Sequence, residues 1–165
     1  MVGFYPWLIF LHVAALLGFL LAHGASSSVA FRIRAERDPV RIAALLDLSA
    51  GAYGLGYASL GLLVGSGIVA AFIGGFWSSG WVWASIVILV VMSVSMHIHP
   101  AATLSKTRKA VGLPYFENWR PHDAQLPGSP AEIVAAAATN NPWLTLLIGG
   151  GGLLIILWLM MFKPF

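Results

Sequence analysis

Long apolar runs, each closed by a short polar break, set the pattern of this chain. They cover about residues 4–31, 42–76, 81–99 and 143–162. Each has about the length, roughly 20 residues, that a helix needs to cross a bilayer. The pattern predicts an all-α fold: a four-helix transmembrane bundle forming a single integral membrane domain over residues 1–165. The first run reads as a full span, because it has no charged leading region and is too long for the core of a cleaved signal peptide. Tyr5, Trp7, Trp77, Trp81, Trp83, Trp143 and Trp158 stand near the ends of the runs, where aromatic belts meet the membrane interface.

The breaks carry the charge. Arg32, Arg34, Arg37 and Arg41 fill the first, and Lys106, Arg108, Lys109 and Arg120 the third; only Lys163 stands elsewhere. By the positive-inside rule both basic breaks are cytoplasmic, so both termini are expected outside, in the bacterial inner (plasma) membrane. Ser79-Gly80 reads as a tight outer turn that makes an antiparallel hairpin of the second and third spans. The loop of residues 100–142 is broken by Pro114, Pro121, Pro127 and Pro130. Within it Ser129, Pro130 and Glu132 spell a helix start, with serine as N-cap and glutamate three residues on. This predicts a short cytoplasmic interfacial helix.

Small residues recur at intervals of four in the second span: Ala50, Gly54 and Ala58; Gly61 and Gly65; Gly67, Ala71 and Gly75. Small faces let helix backbones approach closely in lipid, so this span is expected at the centre of the bundle. The run Gly149–Gly152 is deep in an apolar segment and reads as a packing device, since a phosphate loop follows a strand and opens a helix at a polar surface.

Composition agrees with the pattern. The chain is 59% hydrophobic and 9% charged, where soluble domains carry about 25% charged residues. The net charge of +3 is topological in its placement, which argues against a lipid-specific role for these cations and against a nucleic-acid partner. The sequence has no cysteine, which excludes disulfides, iron–sulfur clusters and thiolate metal sites.

Histidines are the candidate chemistry. His12 and His23 lie eleven residues apart, so they share a helix face about 16 Å apart along the axis. His23, His97 and His99 fall near the cytoplasmic ends of parallel spans, with Asp47 a further candidate at that level and Tyr53 and Tyr57 a hydroxyl stripe beneath. His97 and His99 point in nearly opposite directions around a helix, and His97 is the one expected to face inward, on a face with Ser93, Val90 and Ile86. Imidazoles on facing helices can hold a b-type haem; Arg32 and Arg34 would then suit its propionates. The plainer alternative makes these histidines interfacial polar residues near helix ends. His12 is deeper, and needs a neighbouring carbonyl, a partner chain or a cofactor.

The stretch "YPWLIFLHVAALLGFLLAHGASSSVAFRIR" resembles the first span of a group of small bacterial membrane proteins. That group includes the CopD-like copper-resistance proteins, the haem-binding protoporphyrinogen oxidase family and uncharacterised relatives. The shared features are an aromatic start, a Leu-His pair (Leu11-His12) and a basic exit. The resemblance covers about 40 residues and implies that His12 is a haem ligand. Residues 81–99 contain no lysine, where the oxidase family has a functional one, so the uncharacterised relatives are the closer match.

These readings predict a membrane subunit rather than a stand-alone enzyme, because no acid–base pair, nucleophile or metal set lies together in the spans. One expectation is an electron-transferring subunit with haem b held by His12, His23 or His97 within a larger complex or homo-oligomer. The other is a structural or assembly subunit without cofactor. A small-molecule or metal transporter comes third.

Overall fold

A computed structural model describes residues 3–165 of the chain. Four helices are long and apolar enough to cross a membrane: α1 (Tyr5–Ala35), α2 (Pro39–Gly74), α3 (Gly80–Ala110) and, last in the chain, α5 (Pro142–Phe162). Between α3 and α5 stand a two-stranded hairpin, β1 (Tyr115–Glu117) and β2 (Arg120–His122), and a short helix, α4 (Pro130–Ala138). The architecture is that of a multi-pass membrane protein. The two arginine- and lysine-rich connections lie at one end of the molecule, its basic end.

Local chemistry explains the breaks. Asp38 caps α2 by accepting the Val40 amide at 3.0 Å, and Pro39 fills the first helical position, where its missing N–H costs nothing. Ser129 and Glu132 form the expected capping box on α4, each side chain taking the other's backbone amide. Asn141 caps α5 by accepting from Leu144 at 3.2 Å. Gly75 closes α2 in the left-handed conformation, with φ of 68°.

The third span does not end at His99. It passes through Pro100 in a π-helical turn over His97–Ala101 and continues to Ala110. A wider turn relieves the clash of the proline ring with the preceding carbonyl while the helix goes on. A second π-helical turn, Leu147–Gly151, interrupts α5 at its glycine run.

Packing also departs from the expected order. α2 lies along α1, and α3 lies along α5; α1 meets the first turns of α5, whereas α2 and α3 approach chiefly at the C-terminal turns of α3 and through the short aromatic connection Phe76–Ser78. The second span is therefore not the central one. Its contact face is also not the expected one, for Gly54, Gly61 and Gly65 face open space. Leu8, Ala15, Ala22 and Val29 of α1 are buried at intervals of seven, as are Ile42, Ser49, Leu63 and Ala70 of α2 with Gly56 in the same register. A repeat of seven is that of left-handed helix pairs. Small residues along and beside this seam bring the helices close: Gly18 lies against Ser59, Gly56 against Ala22, and Ser49 donates to Ser26 at 3.2 Å. Close approach maximises van der Waals contact, which drives association in lipid.

The two helix pairs are joined at the basic end. Val29, Ile33, Ile42, Leu46, Leu104, Ile133 and Ala137 interlock there, bringing together α1, α2, α3 and α4. A smaller cluster of Trp81, Val82 and Leu159, flanked by Phe76 and Trp77, closes the opposite end of α3 and α5.

Candidate functional site

His12 sits on the α1 face that meets α2. Its Nδ1 is 3.0 Å from Ser66 Oγ, and the carbon between its ring nitrogens rests on Gly67, whose lack of a side chain makes the room. Ser66 Oγ lies 2.6 Å from the Leu62 carbonyl. The hydroxyl has one proton, and a serine in a helix donates it back to the carbonyl four residues earlier. Ser66 therefore accepts from His12, which puts the imidazole proton on Nδ1. The Leu63 carbonyl is a further backbone neighbour of the ring, and Nε2 is left with its lone pair and no side-chain partner among the described residues. A ligating histidine has this arrangement: one nitrogen held by an outer partner, the other free to bind.

His23 occupies a different environment. It stacks on Phe19 with ring centroids 6.3 Å apart, contacts Ser27 Oγ at 3.4 Å through Nε2, and packs edge-on against Gly149 of α5. The π-helical turn of α5 presents that glycine, and Gly152 one turn on lies against Met92 of α3. The glycine run is thus a packing device that serves two neighbours. His12 and His23 share a helix but address different partners, α2 and α5.

The remaining expected site residues do not gather around them. His97 turns away from the bundle and lies in the cradle of the hairpin, its ring 4.0 Å from that of Trp119 and nearly parallel to it, with Phe116 edge-on at 5.6 Å. The face it shares with Ser93, Val90 and Ile86 is exposed, whereas α3 buries Trp81, Val82, Ser85 and Met92. His99 is exposed. Asp47 is exposed too and sits 3.6 Å from Arg108. Tyr57 is 73% exposed on the outward side of α2, so no hydroxyl stripe lies beneath the histidines. Arg34 donates to the Asn140 carbonyl at 3.3 Å, and Arg32 is exposed. No group of three or more histidine, aspartate or glutamate side chains positioned for a metal ion occurs among the described residues.

Tested against a haem, these residues fit in part. His12 has the tautomer and the free nitrogen of an axial ligand. His23 fits poorly, because Gly149 fills the space at its ring edge. Arg32 and Arg34 lie twenty and more residues beyond His12, a rise of about 30 Å along α1, too far to meet the propionates of a group bound at His12.

Two features lay outside the sequence reading. Thr107 and Asn140 are buried and bonded at 3.0 Å, with Thr107 also donating to Thr103 and Asn140 to Ala137. This polar node ties α3 to the junction of α4 and α5, and the Asn140 side-chain oxygen is buried there without a partner among the described residues. The hairpin is the second. Its turn residues Asn118 and Trp119 both have positive φ, 52° and 62°. Asparagine hints at such a turn, but tryptophan stands where glycine is usual.

Compared with protein-family models, with curated proteins and with solved structures, the chain finds no match in any of the three.

Proposed function

We propose that the chain is an integral membrane subunit of a larger assembly, in the bacterial inner membrane, with its basic end in the cytoplasm and with His12 as an imidazole ligand to a b-type haem. The observation that carries this reading is the His12–Ser66 pair, which orients the ring, holds the proton on Nδ1 and leaves Nε2 as donor atom. The resemblance of the first span to haem-binding membrane proteins points to the same residue. No second imidazole stands with His12 among the described residues, so a further ligand to the haem would come from a partner subunit or a second copy. The haem, when bound, would supply one-electron transfer. The chain's own part is to fix the ligand's tautomer and to exclude water by the close α1–α2 contact.

A structural subunit without cofactor is the second reading. It is favoured by the same bond seen from the other side: a serine that satisfies a histidine inside a helix pair is a helix-pairing device in its own right.

The visible absorption spectrum of the protein purified in mild detergent, oxidised and then reduced with dithionite, separates the two. The haem reading expects sharp reduced bands that His12→Ala removes and His23→Ala and His99→Ala leave. A colourless, metal-free wild-type protein, purified with the subunits that accompany it, gives the structural reading the lead. Because the chain has no cysteine, single-cysteine labelling reports the orientation cleanly: Gln125→Cys should react only from the cytoplasm and Ser79→Cys from outside.

A further inference from the structure

A cleft of about 390 Å³ opens between the last turns of α3 and the β1–β2 hairpin. Its chemistry changes along α3. Ile98, 53% exposed, and Ala101 follow directly on the apolar run of the helix. Lys106 stands two turns further, about 12 Å along the axis. Lys109 beside it is already engaged, 2.9 Å from Glu117 and 5.0 Å above the Tyr115 ring. Lys106 is exposed and has no ion pair or hydrogen bond among the described residues.

The wall of the cleft is Trp119. Its left-handed backbone is one that bulky side chains rarely adopt. Burial does not compensate the strain, since Trp119 is 68% exposed. Its indole lies flat against the His97 ring and is otherwise largely exposed. A strained conformation kept by a stacked, outward-facing aromatic ring marks a surface arranged for contact.

An apolar floor, a flat indole and an unpaired ammonium group in that order match an amphiphile with an anionic head. We propose that this cleft binds the phosphate group of an anionic phospholipid. Lys106 counters the phosphate charge, the indole of Trp119 lies at the ester level, and an acyl chain runs along Ile98. Indole rings favour that depth, and a basic side chain at the surface attracts anionic lipid. A soluble phosphate offers the same headgroup chemistry, so the test must separate the two sources. The proposal is independent of the haem reading, since no residue of the cleft contacts His12.

The experiment uses the intact chain in neutral detergent, titrated with phosphatidylglycerol, phosphatidylcholine or inorganic phosphate. Bound lipid is counted by native mass spectrometry, and the thermal midpoint is followed in parallel. One phosphatidylglycerol should bind in preference to phosphatidylcholine. Lys106→Ala should weaken it about five-fold, the weight of one cation near a membrane surface. Lys106→Arg should retain it, and Arg41→Ala, which removes an equal charge from the first connection, should leave it unchanged. Lys106 is exposed, so its variants should melt as wild type without lipid; if the alanine variant does not accumulate, Lys106→Gln takes its place. Equal binding of the two lipids overturns the proposal, and so does equal weakening by Lys106→Ala and Arg41→Ala. Inorganic phosphate that displaces phosphatidylglycerol and reproduces its thermal shift assigns the cleft to a soluble anion and overturns the lipid assignment.

Discussion

His12 and Ser66 stand 54 residues apart in the chain and 3.0 Å apart in space, with the serine also bonded to the Leu62 carbonyl. The bond does two jobs that mutation can separate. As a link between helices it should contribute about 0.6 kcal/mol, and at most about 1.7, as such bonds do in membrane proteins. As an outer support for a ligating imidazole it should matter more, about 10- to 100-fold in affinity for the bound group. Ser66→Ala is therefore expected to lower thermal stability slightly and, on the haem reading, to weaken haem retention strongly. A loss of stability with no change in retention by the complex would leave His12 a packing residue.

The four spans were legible because hydropathy alone marks them. So were the Ser129–Glu132 capping box and the packing role of the glycine run, both set by local chemistry. What hydropathy could not tell is which way each helix faces, because lipid and bundle interior are both apolar. Small residues mark interfaces instead, and α2 carries two small faces. The regular one, with Gly54, Gly61 and Gly65, is open; the one in use interleaves Ser49, Gly56, Ser59, Leu63 and Ser66 with larger neighbours. The same ambiguity hid the direction of His97, which is settled by a hairpin whose turn lacks the usual glycine.

Substitution at a packed glycine of α5 and at an open one of α2 should therefore differ. Gly149→Val places a side chain where the His23 ring already lies, and overpacking of this kind costs about 1–3 kcal/mol. Pairing it with His23→Ala should restore much of the loss. Gly54→Leu points into open space and should change stability by no more than about 0.5 kcal/mol. Thermal unfolding in one detergent checks all four proteins, and a strongly destabilised Gly54→Leu would mean that the open face is covered by another subunit.

Arg108 joins the two helix pairs. It donates to the Pro114 carbonyl at 2.7 Å and to the Leu46 carbonyl at 3.2 Å, while its carboxylate neighbour Asp47, 3.6 Å away, is mostly exposed. Hydrogen bonds from a charged donor are each worth about 1.5–3 kcal/mol, whereas an exposed ion pair gives about 1 or less. Arg108→Ala should thus destabilise the basic end far more than Asp47→Ala. Limited proteolysis near Pro114 offers a direct readout, and equal sensitivity of the two variants would refute the ranking.

The capping box makes α4 sensitive to acid. The hydroxyl and backbone amide of Ser129 hold the Glu132 carboxyl below the usual glutamate range. A depressed folded value means that the stabilisation is present above the ordinary glutamate pKa and is lost as pH falls through the lowered one. Protection of the α4 amides, taken as exchange relative to the intrinsic rate at each pH, should fall over that acidic window in wild type. Glu132→Gln, which cannot ionise, should abolish this component of the pH dependence; an unchanged profile would show that the box does not govern the helix.

Because the cluster of Ile33, Ile42, Leu104 and Ile133 interlocks both helix pairs at one end, the molecule is built like a pair of tongs with its pivot off-centre. At the opposite end the arms are only tethered, through the aromatic link of Phe76 and Trp77. The helix pairs are thus held most firmly where the two basic connections lie. His12 lies on one of these arms, away from the pivot.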